Sequence, residues 1–395
     1  MHMKFSEDSE KNYFFSQPHQ PFFILAFVNA IVIMLIFMLS YKGVMHIAIS
    51  PSNFHVYGLI YLLFTPAFLA FLFTTFPRFA STPTIEKKEY MSVFSLYYLG
   101  SAIFVLGSIA SPVLSAIGMI MVFVGHIMGM LILKNIYTTT KMEDKHDIYW
   151  IQLAMKFGVL AHFLSIVAQL FYMPLMGLSS EISIYLYLFL LTFSVAQRMV
   201  PFFSHSMVGR NDHLLKVVFS LLILHIIFEG IHTNSSFIVD ILIGLLIGKE
   251  LLRWKLQFSN PNPLLWILHT ALYWIPIAFL LAGLTNLVSL LSGITFLALD
   301  IHMLTLGFVF TILIGFGTRV TLGHSGNMMQ ADKWTIYLFY WTQVVVVLRI
   351  LVSLAAAFGW NFMILFDITA TAWILMFIAW AVRFFEVLIN GKKLT

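Results

Sequence analysis

Residues 300–326 read D-I-H-M-L-T-L-G-F-V-F-T-I-L-I-G-F-G-T-R-V-T-L-G-H-S-G. The stretch opens on Asp300 and His302 and runs through an apolar segment of membrane length. It closes on Arg319 and a short turn holding His324. Gly307, Gly315 and Gly317 leave one face of this segment thin, so a neighbouring helix or a flat cofactor can approach its backbone. Ionisable residues within a membrane-length helix are costly, and they mark a functional site by default. His302 and His324 are 22 residues apart. At about 1.5 Å per residue that is roughly 30 Å, too far for one metal. The segment therefore reads as a spine that serves two sites.

The rest of the chain agrees with a membrane setting. Of its 395 residues, 60% are hydrophobic and 10% are charged. A soluble domain carries about 25% charged residues. Apolar runs of spanning length fall at about 22–41, 54–76, 91–111, 112–133, 153–173, 182–201, 214–232, 236–252, 264–284, 294–318, 335–356 and 362–388. The expected fold is an all-α integral membrane protein of about twelve transmembrane helices. Residues 1–21 form a polar N-terminal tail, 22–388 a single bundle and 389–395 a C-terminal tail. The opening tail lacks the pattern of a cleaved leader, because the apolar run that follows is long enough to span.

Basic residues orient the bundle. Of 22 Lys and Arg, 20 fall on one side, Lys42 alone falls on the other, and Arg349 lies inside the eleventh span. The positive-inside rule places both termini in the cytoplasm. The net charge of +5 is then a topology signal, and nucleic acid is not expected as a partner. The chain has no cysteine, which excludes disulfides, thiolate chemistry and iron–sulfur clusters. Arg78, Arg198 and Arg319 close the second, sixth and tenth spans, 120 and 121 residues apart. The spacing fits three four-helix units, or three snorkelling arginines that happen to be evenly spaced.

Depth sorts the polar residues. His55, His302, Arg349 and Asp367 fall in the outer halves of the second, tenth, eleventh and twelfth spans. A haem needs neutral imidazoles on its iron and cationic partners for its propionates. His55 and His302 come from different helices at comparable depth, and Arg349 suits a propionate. Arg349 could instead pair with Asp367 or Asp300, and Asp300 could orient His302. His225, Glu229 and His232 share one face of the seventh span. They form half of a metal site, or the lining of a proton path. His269 and His324 face the cytoplasmic half and are candidates for a second haem or copper site. His126 and His162 lie mid-helix and His205 in a loop. No catalytic residue stands out, and no phosphate loop, dinucleotide fingerprint, nucleophile elbow or HExxH pattern is present.

Several stretches carry a family likeness: 302–326, P-L-L-W-I-L-H-T-A-L-Y-W-I-P at 263–276, R-M-V-P-F-F-S at 198–204, P-F-F-I-L-A at 21–26 and F-H-V-Y-G at 54–58. Together they resemble the NnrS family of bacterial membrane proteins, which contain haem and copper and are linked to nitric oxide metabolism. The resemblance implies roles for His302, Arg319, His324, His269 and His55, the last matching the first histidine of a Trp-His-x-His-Glu motif. Phe54, Tyr57 and Gly58 replace that motif's Trp, second His and Glu, and Gln20 stands where the family has arginine. One site normal for the family is thus expected to be altered here. The architecture is also similar to the catalytic subunits of haem–copper oxidases and nitric oxide reductases, whose second and tenth helices supply a bis-histidine haem. Here the tenth span lacks a second histidine and the seventh lacks a His-His pair.

The expectation is a b-type haem protein of the bacterial inner membrane, with copper as a further cofactor. It would bind nitric oxide or a similar small gas, or act on it as an oxidoreductase fed by a quinol or another electron donor. The alternatives are a cofactor-free transporter or channel with a His/Glu relay on the seventh span, and a protein that delivers haem or copper.

Overall fold

The computed structural model describes residues 12–394. Lys4, Lys11 and most of the expected N-terminal tail lie outside the described residues. Among the described residues there is no strand. Twelve long helices follow one another: α1 His19–Tyr41, α2 Pro51–Phe79, α3 Lys87–Ala110, α4 Pro112–Thr139, α5 His146–Leu170, α6 Leu175–Phe203, α7 Leu214–Ile231, α8 Phe237–Trp254, α9 Pro263–Ser292, α10 Leu299–His324, α11 Lys333–Ala357 and α12 Met363–Asn390. All but α8 are long and apolar enough to cross a bilayer. Asp240, Lys249, Glu250 and Arg253 set α8 apart. The protein is polytopic and all-helical, as its composition requires.

Two helix ends differ from the apolar runs, and both differences matter for the sites. α1 begins at His19, with Pro21 in its first turn. A proline is tolerated there because the first amides have no intrahelical acceptor to lose. α10 continues to His324, so that histidine sits in the last turn and not beyond the helix. The tight breaks at 111–112 and 233–235 are real. Extended Ser111 joins α3 to α4, and Asn234 turns with φ +68° between α7 and α8.

By its internal contacts the chain divides into two units. The first holds 1–176, 317–329 and 374–395, and the second holds 177–316 and 330–373. In the first unit α3 and α4 make a close hairpin. A Cβ at Gly107 or Gly118 would run into the backbone of Ser115 or Phe104 on the facing helix. Phe27 packs edge-on against Phe377 and Trp380, at 5.0 and 4.5 Å between ring centroids. Trp380 Nε1 donates to Thr318 Oγ1 at 3.1 Å, which ties α12 to the end of α10.

In the second unit the thin face of α10 is filled by α9. A Cβ at Gly307 would meet the Trp274 ring at 2.7 Å, and one at Gly315 would meet Leu268 at 2.7 Å. At these two glycines it is a neighbouring helix, not a flat cofactor, that uses the missing side chain. Trp274 Nε1 in turn donates to Gln343 Oε1 of α11 at 2.8 Å.

α2, α6 and α10 share a feature that the apolar pattern did not disclose. Each contains a π-helical stretch, at Gly58–Phe64, Ile182–Phe189 and Met303–Phe310. Their starts are 124 and 121 residues apart, close to the arginine spacing. Thr65 and Thr311 each donate from Oγ1 to the carbonyl five residues back, that of Ile60 and that of Leu306. π stretches are rare and cluster at functional sites, because the wide turn rotates the side chains that follow it. Their recurrence on every fourth helix supports the four-helix period.

Candidate functional site

In the second unit, His302 lies in the first turn of α10. Its Nδ1 is 2.7 Å from the carbonyl oxygen of Ala298 and 3.1 Å from Arg349 Nη2. One ring nitrogen cannot both donate to the carbonyl and accept from the guanidinium. The carbonyl is closer and Arg349 has other acceptors, so the geometry favours the proton on Nδ1. Arg349 donates from Nη2 to the Leu297 carbonyl at 2.9 Å and from Nη1 to Ser353 Oγ at 2.5 Å. Ser353 donates to the same Leu297 carbonyl at 2.8 Å. Ala298 is held with φ +44°, a left-handed conformation that costs a residue with a Cβ about 1–2 kcal/mol. That conformation aims its carbonyl at both the amide and the ring of His302. Asp300 does not take the orienting role; it lies within electrostatic reach of Glu181, His225 and Asp240.

The three α7 residues part company. His225 is buried and lies 2.6 Å from Asp240 Oδ1, with Nε2 3.3 Å from Glu181. Ser236 Oγ and Asn286 Nδ2 donate to the other Asp240 oxygen, at 2.7 and 3.1 Å. The Glu229 carboxylate accepts the backbone amides of Asn234 and Ser236 and so shapes the turn into α8. His232 is exposed, and its Nδ1 donates to the Thr233 carbonyl at 2.9 Å. His225 therefore keeps company with Asp240 and Glu181, not with its two neighbours along the helix. Among the described residues no group of three or more His, Asp or Glu is arranged to hold a metal.

His269 has both ring nitrogens engaged within the second unit. Nδ1 donates to the Gln257 carbonyl at 2.8 Å, and Ser204 Oγ donates to Nε2 at 2.7 Å. His324, its expected companion, belongs to the first unit.

In the first unit, His55 stands in the first turns of α2 with its ring 4.2 Å from that of Phe37. His324 instead meets His19, which lies ahead of the first apolar run. Their ring centroids are 4.9 Å apart. His324 Nδ1 donates to the Val320 carbonyl at 3.1 Å. His19 Nδ1 and His324 Nε2 are sealed from solvent and have no hydrogen-bond partner. A buried polar group left unpaired costs about 1–3 kcal/mol, so two on facing rings call for an account. The exposed Arg78 acts electrostatically on both rings.

A second unforeseen group lies deeper in this unit. Tyr57 Oη is 2.8 Å from His162 Nε2, and His162 Nδ1 is 3.1 Å from His126 Nδ1. Tyr61 stacks on the His162 ring at 3.8 Å. All four side chains are buried. The small residues Gly118, Gly125 and Gly129 around His126 were the available signal.

An all-helical membrane protein with histidines bonded to backbone carbonyls near both ends of one helix is the class defined by these features. The chain belongs to the NnrS family, whose model matches residues 13–392. No curated protein matches the chain.

Proposed function

We propose that this protein is a haem-carrying protein of the bacterial cytoplasmic membrane that binds nitric oxide, or a related small nitrogen species, and handles it by redox chemistry. Membership of the NnrS family supports the link to nitric oxide. The observation that carries the haem reading is the His302–Ala298 hydrogen bond at 2.7 Å. A proton held on Nδ1 by that carbonyl would make Nε2 the coordinating atom, the arrangement that a haem iron requires of an axial histidine. Arg349 beside that ring supplies a cation for a carboxylate. A bound haem would supply one-electron iron chemistry and an iron atom able to bind nitric oxide. This chain's residues would then hold the ring nitrogen toward the iron, offset the propionate charge and keep the surroundings apolar. His55, expected from the sequence on the opposite face of the haem, lies in the other unit, and His302 alone carries this reading.

The test is spectroscopic. Protein purified from cells supplied with haem should show a Soret band that shifts on addition of nitric oxide. His302→Ala should lower the haem content at least about tenfold. No Soret band in the wild type would exclude the proposal.

The second reading is a proton-coupled transporter. It draws on the buried His225 between Asp240 and Glu181, a set able to accept and pass a proton. Proton-linked solute uptake by haem-free protein in vesicles would favour it.

A further inference from the structure

We infer that His225, held by Asp240, is a proton carrier charged from the outer aqueous phase through Glu181. This deepens the proton reading of the same group and rests on it, but it requires neither a transported solute nor a haem.

Three observations carry it. First, Asp240 is a fixed counter-charge. It is fully buried, and its carboxylate accepts from His225 Nδ1 at 2.6 Å, from Ser236 Oγ at 2.7 Å and from Asn286 Nδ2 at 3.1 Å. Three donors converge on it, so it serves as an acceptor and orients the ring. Second, the other ring nitrogen is left over. His225 is 1% exposed, and its Nε2 has no hydrogen-bond partner, although Glu181 Oε2 stands 3.3 Å away and has none either. The two are within ion-pair distance but not aligned for a hydrogen bond, so a small rotation of the carboxylate makes or breaks the link. Third, the group has one open end. The side chain of Glu181 is 24% exposed, against 2% for His225 and 0% for Asp240. Glu181 lies near the outer end of α6, immediately ahead of its π stretch, and such stretches are frequent at functional sites.

The roles follow from the chemistry. One proton stays on His225 Nδ1, between the ring and Asp240. The mobile proton is the one at Nε2. A proton taken up by Glu181 passes to that nitrogen: the carboxyl O–H bond breaks, the N–H bond forms, and a carboxylate and an imidazolium result, with no change of oxidation state. The imidazolium then has a carboxylate on either side, which lowers the cost of carrying charge at this depth. The neighbouring helices add to the same field. Tyr185 of α6 lies 4.1 Å from the His225 ring, Asp300 of α10 is within electrostatic reach of His225, and Glu229 of α7 acts on Tyr185. Carboxylates outnumber the one imidazole, so the group favours a cation. Among the described residues no set is arranged to hold a metal ion, and the proton is the cation that this group can take.

The test uses the full-length, haem-free protein in liposomes, with no solute added and its orientation read from a tag at the C-terminus. The outer buffer is stepped from alkaline to acid, and infrared difference spectra follow imidazole and carboxyl protonation. The wild type should show an imidazole signal that His225→Gln abolishes and that a step in the inner buffer alone does not produce. Glu181→Gln should keep the signal but slow its rise at least about tenfold, and Glu181→Asp, which retains a carboxyl, should recover part of the rate. A wild type without the imidazole signal, a Glu181→Gln variant that responds at the wild-type rate, or a signal that answers only to the inner buffer would overturn the inference. Should His225→Gln fail to fold, ring-labelled histidine identifies the imidazole band in the wild type, and the Glu181 variants decide. Failed solute uptake with this signal intact would sink only the transporter reading, and a missing signal with uptake intact would sink only the present inference.

Discussion

His302 Nδ1 lies 2.7 Å from the carbonyl oxygen of Ala298, a residue that pays for this with a left-handed backbone. The same carbonyl accepts the His302 amide at 3.1 Å. At the other end of α10 the pattern recurs, with His324 Nδ1 on the Val320 carbonyl at 3.1 Å. Each histidine is thus anchored on the carbonyl four residues before it.

Ala298→Gly removes the Cβ that makes φ +44° costly. The gain of about 1–2 kcal/mol is partly offset by glycine's larger unfolded-state entropy, about 0.5–1 kcal/mol. The variant should melt at a slightly higher temperature in detergent and keep its haem. A clear fall in melting temperature would show that the Ala298 conformation is not strained.

Arg349→Gln keeps an amide donor and removes the cation beside His302. Haem affinity should fall by about tenfold, equivalent to about 1.4 kcal/mol. Titration of haem into apoprotein measures this, and Arg349→Lys should recover only part of the loss, because lysine lacks the planar fork that reaches Leu297 and Ser353 together.

Tyr57→Phe leaves His162 Nε2 without its phenol partner in a fully buried setting. A loss of about 1–3 kcal/mol is expected. Tyr57→His should cost less, because an imidazole can also bond to His162. Equal melting temperatures for wild type and Tyr57→Phe would mean that the hydrogen bond contributes nothing.

Gly118→Ala places a methyl group against the Phe104 backbone across the α3–α4 hairpin. Backbone cannot yield as a flexible side chain can. Destabilisation of about 1–3 kcal/mol should follow, with Gly177→Ala as a control that meets open space. Thermal unfolding in the same detergent compares the two.

Much of this was legible in the chain. Apolar runs placed twelve helices, because a bilayer fixes how many residues a span needs. Depth along the helices brought His302 and Arg349 to one level, and in the second unit they do meet. His19 was not legible, because a polar residue ahead of the first apolar run reads as tail. Pro21 two residues on was the overlooked sign that the helix had already begun. The faces of α7 also misled. Common spacing puts His225, Glu229 and His232 on one side, but α7 ends at Ile231, so His232 leaves the helix and Glu229 turns to cap the chain.

The sequence by itself determined the class of protein, the number of helices and the supply of ionisable groups, since these follow from composition and from span length along a single helix. Only the tertiary structure decided the partners. It gave His324 to His19, and His225 to Asp240. It joined Tyr57 to His162 and filled the thin face of α10 at Gly307 and Gly315 with α9. Helix periodicity fixes which residues share a face, but which face meets which is set by packing between segments distant in sequence. The π turns in α2, α6 and α10 rotate those faces by an amount that the apolar pattern does not encode.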